Sequence, residues 1–151
     1  MGASPQYLAV TPDGTHVYVA NPYSNTVSVI GTATNTLVKT IPVGAFPLGV
    51  AVTPDGTKAY VANFNSNTVS VIRRPGNTVV KTIPVGLNPA AVAVTPDGTK
   101  IYVANQGSKN VSVIASPGNT VVATVAVGSG PTVTPDGSHA YVVKVATTPF
   151  R

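Results

Sequence analysis

The stretch that decides the fold is TPDGTKAYVAN at residues 53–63. The same succession returns as TPDGTHVYVAN at residues 11–21 and as TPDGTKIYVAN at residues 95–105. A divergent fourth copy, TPDGSHAYVVK, spans residues 134–144. The copies begin at residues 11, 53, 95 and 134, so successive spacings are 42, 42 and 39 residues. The chain therefore repeats one structural unit.

Each repeat predicts four short strands joined by tight turns. In the second copy an apolar strand at 49–52 precedes a Pro-Asp-Gly turn, and a second strand follows at 59–62. Two further strands are predicted at 68–72 and 78–83. Four strands recurring every 40–45 residues or so are typical of β-propeller blades. We therefore predict one all-β propeller domain with three complete blades and a partial fourth, at about 5–44, 45–86, 87–128 and 129–151.

Composition agrees with an all-β domain and excludes several classes of protein. Hydrophobic residues make up 43% of the 151 residues and charged residues only 9%, which is the opposite of a disordered chain. Because cysteine is absent, disulfides and thiolate metal sites are excluded. No apolar run is long enough to span a membrane, so no membrane insertion is expected. The first residues lack the basic and apolar regions of a signal peptide.

The repeat resembles that of the YVTN-family β-propellers. The resemblance rests on Tyr-Val-Ala-Asn at 18–21, 60–63 and 102–105, each preceded by Pro-Asp-Gly and followed by a segment like Asn-Thr-Val-Ser-Val-Ile. It covers nearly the whole chain and implies a propeller, often of seven blades. Such propellers occur in surface-layer and other extracellular proteins, so the resemblance implies an extracellular or cell-surface location. The same broad group includes propellers resembling lactonases and the electron-transfer domains of some reductases.

The fourth unit departs from the repeat. Its inner strand is three residues short, and residues 145–151 match no third strand. Closed propellers need about 4–8 blades, so three and a half blades leave two large apolar faces open. We predict that a second chain completes the ring, which makes the protein a homodimer. Two alternatives stay open: the chain is part of a longer product, or the fourth unit acts as a cap.

The acidic residues offer little for catalysis. The chain has four aspartates and no glutamate, and all four stand at the same turn position. There they are expected to hydrogen-bond the turn backbone, which leaves no pair of carboxylates for glycoside hydrolysis. The four residues are Asp13, Asp55, Asp97 and Asp136.

The two histidines are the weak candidates for catalysis or metal binding. His16 and His139 stand at the repeat position that Lys58 and Lys100 fill in the other copies, so a solvent-facing strand start is expected. Two separated histidines without cysteine or a spare carboxylate make a poor metal set. We predict no metal and no cofactor, and we favour a non-enzymatic protein. A lactonase-like hydrolase with a site assembled between chains is the alternative.

A binding site is predicted where the repeats differ from each other. In a propeller, the loops from strand two to strand three and from strand four to the next blade share one face. The variable positions in these loops place aromatic, aliphatic and amide side chains together, which suits a protein, peptide or glycan ligand. Alternatively, the two phenylalanines fill the gap between blades. The predicted ligand-binding residues are Tyr23, Phe46, Phe64, Leu87, Asn88 and Gln106.

Single-stranded nucleic acid is a second, weaker alternative. The net charge is +5, and exposed aromatic rings can stack on bases. However, the basic residues are spread along the chain, with Arg73 and Arg74 as the one adjacent pair. Binding driven by phosphates needs clustered cations and weakens steeply with salt, so we do not favour nucleic acid as the partner.

Overall fold

The computed structural model describes residues 2–128, 132–135 and 140–143. Each of the first three repeats forms one antiparallel sheet with its strands in chain order, and these sheets are called blades 1, 2 and 3. Blade 1 contains β1 (Tyr7–Val10), β2 (His16–Asn21), β3 (Thr26–Gly31) and β4 (Thr36–Pro42). Blade 2 contains β5 (Pro47–Val52), β6 (Lys58–Asn63), β7 (Thr68–Arg73) and β8 (Thr78–Pro84). Blade 3 contains β9 (Pro89–Val94), β10 (Lys100–Asn105), β11 (Asn110–Ala115) and β12 (Thr120–Ala126).

The blades follow one another around a common centre. Strands β13 (Thr132–Pro135) and β14 (Ala140–Val143) form a two-stranded antiparallel sheet after blade 3. The first strands of successive units are neighbours, since β1 lies beside β5, β5 beside β9, and β9 beside β13. The fourth strands lie at the periphery and are largely exposed. The predicted all-β architecture of propeller blades is confirmed. No helix within the described ranges has the length and apolarity needed to cross a membrane.

The Thr-Pro-Asp-Gly turn folds through its own side chains. In blade 2 the Thr53 hydroxyl donates to Asp55 Oδ1 at 2.5 Å, and the Thr57 N–H donates to the same oxygen at 3.0 Å. Gly56 takes a φ of +69°, a left-handed conformation that glycine adopts without steric cost. The hydrogen bonds of Thr53 and then Thr57 hold the pKa of Asp55 below its ordinary value. The described aspartates therefore serve the turns; Asp136 lies outside the described residues.

The hydrophobic core lies between the blades. Each junction joins a Tyr face of one blade, made from strands two to four, to a Val face of the next blade, made from strands one to three. At the first junction the Tyr face consists of Tyr18, Val27, Val29 and Ile41, and the Val face of Val50, Ala59, Val61 and Ile72. At the second junction the corresponding faces consist of Tyr60, Val69, Val71 and Ile83, and of Val92, Ile101, Val103 and Ile114.

A polar contact closes the outer end of each junction. The Tyr60 hydroxyl donates to Asn119 Oδ1 at 2.6 Å, and Tyr18 makes the same bond to Asn77. Both asparagines have a positive φ, a conformation that asparagine tolerates better than most residues. Because each bond joins residues 59 positions apart, it fixes one blade against the turn between strands three and four of the next.

Candidate binding face

The loops at one end of the blades are joined by backbone hydrogen bonds. The Phe64 N–H donates to the Phe46 carbonyl at 2.9 Å, and the Asn65 N–H donates to the Ala45 carbonyl at 3.1 Å. One blade further, the Gln106 N–H donates to the Asn88 carbonyl at 3.0 Å. The loops therefore form one continuous surface, called the loop face. It consists of residues 22–25, 43–46, 64–67, 85–88 and 106–109.

Side chains repeated in the sequence hold these loops in place. Ser66 Oγ accepts the Ala45 N–H at 2.6 Å, and Asn25 Oδ1 accepts the Phe46 N–H at 2.9 Å. Equivalent bonds join Ser108 to Leu87 and Asn67 to Asn88. Because these serines recur at the same position in each repeat, the sequence already indicates that their role is structural. The asparagines bond residues 21 positions away in the loop that leads to the next blade, so their partners depend on how the blades stack.

Phe46 has a backbone conformation that its side chain does not favour. Its φ is +55°, and the equivalent Asn88 has a φ of +53°. Asparagine tolerates this left-handed region, whereas a bulky residue is uncommon there and is destabilised by roughly 1–2 kcal/mol. Two hydrogen bonds hold Phe46 in this conformation, since its N–H donates to Asn25 Oδ1 and its carbonyl accepts the Phe64 N–H. An aromatic ring is therefore present where the backbone alone would favour asparagine.

Three of the predicted residues form an aromatic cluster on the loop face. The rings of Tyr23 and Phe46 have centroids 5.4 Å apart and meet edge to face at 80°. The rings of Phe46 and Phe64 are 6.1 Å apart and tilted by 58°. Tyr23 is 67% exposed, while Phe46 and Phe64 are half-buried. The two phenylalanines thus lie next to each other, and each remains partly exposed to solvent.

The other predicted residues lie on the next loops. Leu87 is 54% exposed, and Gln106 is exposed. Asn88 is half-buried, and its Nδ2 donates to the Phe64 carbonyl at 3.3 Å. This bond joins the loop of Asn88 to the aromatic cluster. Exposed apolar side chains and amide groups therefore lie side by side on the loop face.

His16 lies at the opposite end of its strand from the loop face. Its Nδ1 is 2.8 Å from the Thr15 hydroxyl and 3.4 Å from an Arg74 nitrogen. Arg74 also donates to the Gly56 carbonyl at 2.6 Å and lies 3.7 Å from Asp13. In residues 2–128 and the two later strands, no cluster of three potential ligands could hold a metal ion. His139 lies outside the described residues.

Comparison with known proteins decides the family. The sequence model of the YNCE-like β-propeller family matches this chain over residues 2–144. The chain belongs to this family. The YVTN-type propeller predicted from the repeat is thereby confirmed. No curated protein gives a significant match to the sequence.

Solved structures similar to this YNCE-like propeller are about twice as long. Hydrazine synthase of Kuenenia stuttgartiensis aligns with a TM-score of 0.90 and 29% identity, over 95% of this chain and 42% of that one. A protein of unknown function from Desulfotomaculum acetoxidans DSM 771 aligns with a TM-score of 0.85 and 22% identity, over 95% of this chain and 50% of that one. A candidate 6-phosphogluconolactonase from Bacteroides fragilis NCTC 9343 aligns with a TM-score of 0.75 and 20% identity, over 84% of this chain and 40% of that one. This chain therefore spans half or less of each.

Proposed function

We propose that this chain is a non-catalytic interaction module at the cell surface that binds a protein, peptide or glycan through its loop face. The aromatic cluster of Tyr23, Phe46 and Phe64 carries the proposal, because Phe46 takes an unfavourable backbone conformation and leaves ring surface exposed. Clustered aromatic rings beside amide groups are typical of recognition surfaces. The location rests on the family resemblance.

Binding is favoured over catalysis because the described carboxylates are engaged elsewhere. Asp13, Asp55 and Asp97 accept hydrogen bonds from the threonines of their own turns. A lactonase-like hydrolase with its site between chains is the alternative, suggested by the name of the Bacteroides fragilis protein. At 20% identity that similarity shows the fold alone.

Nucleic acid is disfavoured by what the basic side chains contact. Lys39 Nζ donates to the Gly76 carbonyl at 3.0 Å, and Lys81 Nζ donates to the Gly118 carbonyl at 3.3 Å. Arg74 is likewise bonded to a turn carbonyl. These cations are spread over separate turns outside the loop face, whereas phosphate binding needs several cations along one surface.

The proposal includes a homodimer. The described residues contain three complete blades, fewer than the roughly four to eight that are typical of closed propellers, and we propose that a second copy completes the ring. A second copy supplies blades of the same kind without any further gene product. The loop face would then continue around the ring on both copies.

The experiment measures binding of the labelled full chain to a glycan microarray and to a displayed library of random heptapeptides. We expect reproducible ligands in one panel, and their binding to the Tyr23→Ala/Phe64→Ala double variant to fall at least about tenfold, as expected for the loss of aromatic anchors. Val122→Ala is the matched control, since Val122 is 58% exposed on β12, away from the loop face. The proposal is wrong if neither panel yields a ligand or if the double variant binds as the wild type does.

A further inference from the structure

The backbone of the loop face is hydrogen-bonded largely to itself. The Leu87 carbonyl accepts the Gly107 N–H at 3.0 Å, and the Asn25 carbonyl accepts the Val43 N–H at 3.0 Å. These bonds add to those that join the aromatic loops. A peptide that binds as an added β-strand needs a row of free backbone N–H and C=O groups. The loop face therefore recognises its ligand through side chains.

Several side-chain acceptors of the loop face are also occupied by the loops. Asn25 Oδ1 accepts the Phe46 N–H, and Asn67 Oδ1 accepts the Asn88 N–H, each at 2.9 Å. The serine hydroxyls of the same loops accept backbone N–H groups at 2.5–2.6 Å. The loop-face residues include no aspartate or glutamate. Because every sugar hydroxyl is a donor that needs an acceptor, this surface suits a peptide better than a glycan.

Hydrogen-bond donors remain available on the same surface. Tyr23, Asn65, Gln106 and Lys109 are all exposed, and each carries a hydroxyl, amide or ammonium group that can donate. Lys109 is the one charged residue among the loop-face positions. A matching ligand is therefore uncharged, has carbonyl groups that accept hydrogen bonds, and has few N–H groups of its own.

The aromatic cluster adds an angled apolar surface beside these donors. Tyr23 and Phe46 meet at 80°, so their rings do not form one flat platform. A polyproline II helix rises about 3.1 Å per residue, so roughly two residues span the 6.1 Å between the Phe46 and Phe64 ring centroids. Leu87 is 54% exposed and extends the apolar surface. Proline-rich segments in this helix dock on surfaces lined by aromatic side chains.

We infer that the loop face binds an uncharged, proline-rich segment of a partner protein in the polyproline II conformation. Proline has no N–H, and the carbonyls of this helix make no internal hydrogen bonds, so the segment offers acceptors to the donors of the loop face. Its backbone is already ordered before binding, which lowers the entropic cost. This ligand class belongs to the proposed binding function of the loop face, on which the inference rests.

The test is fluorescence anisotropy of labelled decaproline titrated with the full chain. A labelled Gly-Ser repeat peptide of the same length is the control ligand, because it is uncharged but flexible. We expect saturable binding of decaproline with a dissociation constant of about 10–100 μM and no binding of the Gly-Ser peptide in that range. Unlabelled decaproline should displace the probe, whereas the neutral glycan maltoheptaose should not.

Two variants at one position separate the ring from its hydroxyl. Tyr23→Ala should raise the dissociation constant about tenfold, because the most exposed ring of the cluster is lost. Tyr23→Phe keeps the ring and removes one donor, so the constant should rise only about threefold. Val122→Ala is the matched control and should bind as the wild type does, since Val122 is 58% exposed on β12, away from the loop face.

The inference is overturned if decaproline does not bind, if the Gly-Ser peptide binds equally well, or if maltoheptaose displaces the probe. Equal affinities of Tyr23→Ala and the wild type for decaproline would overturn it too. Should the glycan or heptapeptide panel yield a ligand that depends on Tyr23 and Phe64 while decaproline fails to bind, only the ligand class is wrong. The proposed function itself fails on its own criteria, when neither panel yields a ligand.

Discussion

Tyrosine in the second strand of a blade combines two stabilising contributions in one residue. The ring of Tyr60 is completely buried at the junction, and its hydroxyl bonds Asn119 of the next blade. Burial raises the pKa of Tyr60 above the ordinary 10.0, so the hydroxyl keeps its proton and remains a donor through neutral and mildly alkaline pH. The residue therefore anchors one blade to the next both by apolar contact and by a directed hydrogen bond.

We expect Tyr60→Phe to lower the free energy of unfolding by about 1–2 kcal/mol, because Asn119 Oδ1 loses its donor while the ring packing is kept. Urea denaturation followed by circular dichroism measures the change. Tyr23→Phe is the control, since Tyr23 is 67% exposed, and its effect should stay within about 0.5 kcal/mol. Equal stabilities of the two variants would contradict the role of the hydroxyl.

At the scale of the element, the Thr-Pro-Asp-Gly turn is the part of the fold best encoded in the sequence. Its hydrogen bonds join residues two to five positions apart, so the turn forms from local chemistry in each copy. The loop from strand four to the next blade is different, because its conformation depends on the neighbouring loops. Phe46 takes its positive φ only where Asn25 and Phe64 of adjacent loops hold it.

The turns predict a loss of stability in acid. The threonine hydrogen bonds keep the pKa of Asp13, Asp55 and Asp97 below the ordinary 3.8, so the folded chain binds fewer protons than the unfolded chain below about pH 4. The contribution is present above the unfolded pKa and is lost as the pH falls through the lower, folded pKa values. The midpoint of thermal unfolding should therefore drop on acidification, and less steeply in Asp55→Asn/Asp97→Asn. An identical acid dependence in that double variant would contradict the assignment.

At the scale of the whole molecule, the blades differ in how well they are enclosed. Blade 2 has a neighbour on both faces, and the strand-two residues Tyr60 and Val61 are completely buried. Blade 1 has its Val face open, with Leu8 largely exposed. Local opening costs less free energy where fewer apolar contacts are buried, so in the monomer we expect blade 1 to open more readily than blade 2.

Amide hydrogen exchange should show this gradient directly. In dilute solution we expect the amides of β6 and β7 to exchange most slowly and those of β1 most rapidly, since local opening of β1 exposes little additional apolar surface. Mass spectrometry of peptic peptides resolves these strands. The β8 peptide with exposed Val80 serves as an internal reference for an outer strand. Protection of β1 equal to that of β6 in the monomer would contradict the gradient.

The sequence by itself determined the strands, the turns and the propeller class. Strands and turns depend on residues a few positions apart, and the propeller class follows from three near-identical copies of the unit. The tertiary structure alone decided which side chains meet between blades. Tyr60 and Asn119 are 59 residues apart, and the Tyr23 and Phe46 rings meet because loops of successive blades turn toward one end. Such contacts depend on how the sheets stack, and stacking geometry is a property of the assembled blades that a local sequence pattern does not contain.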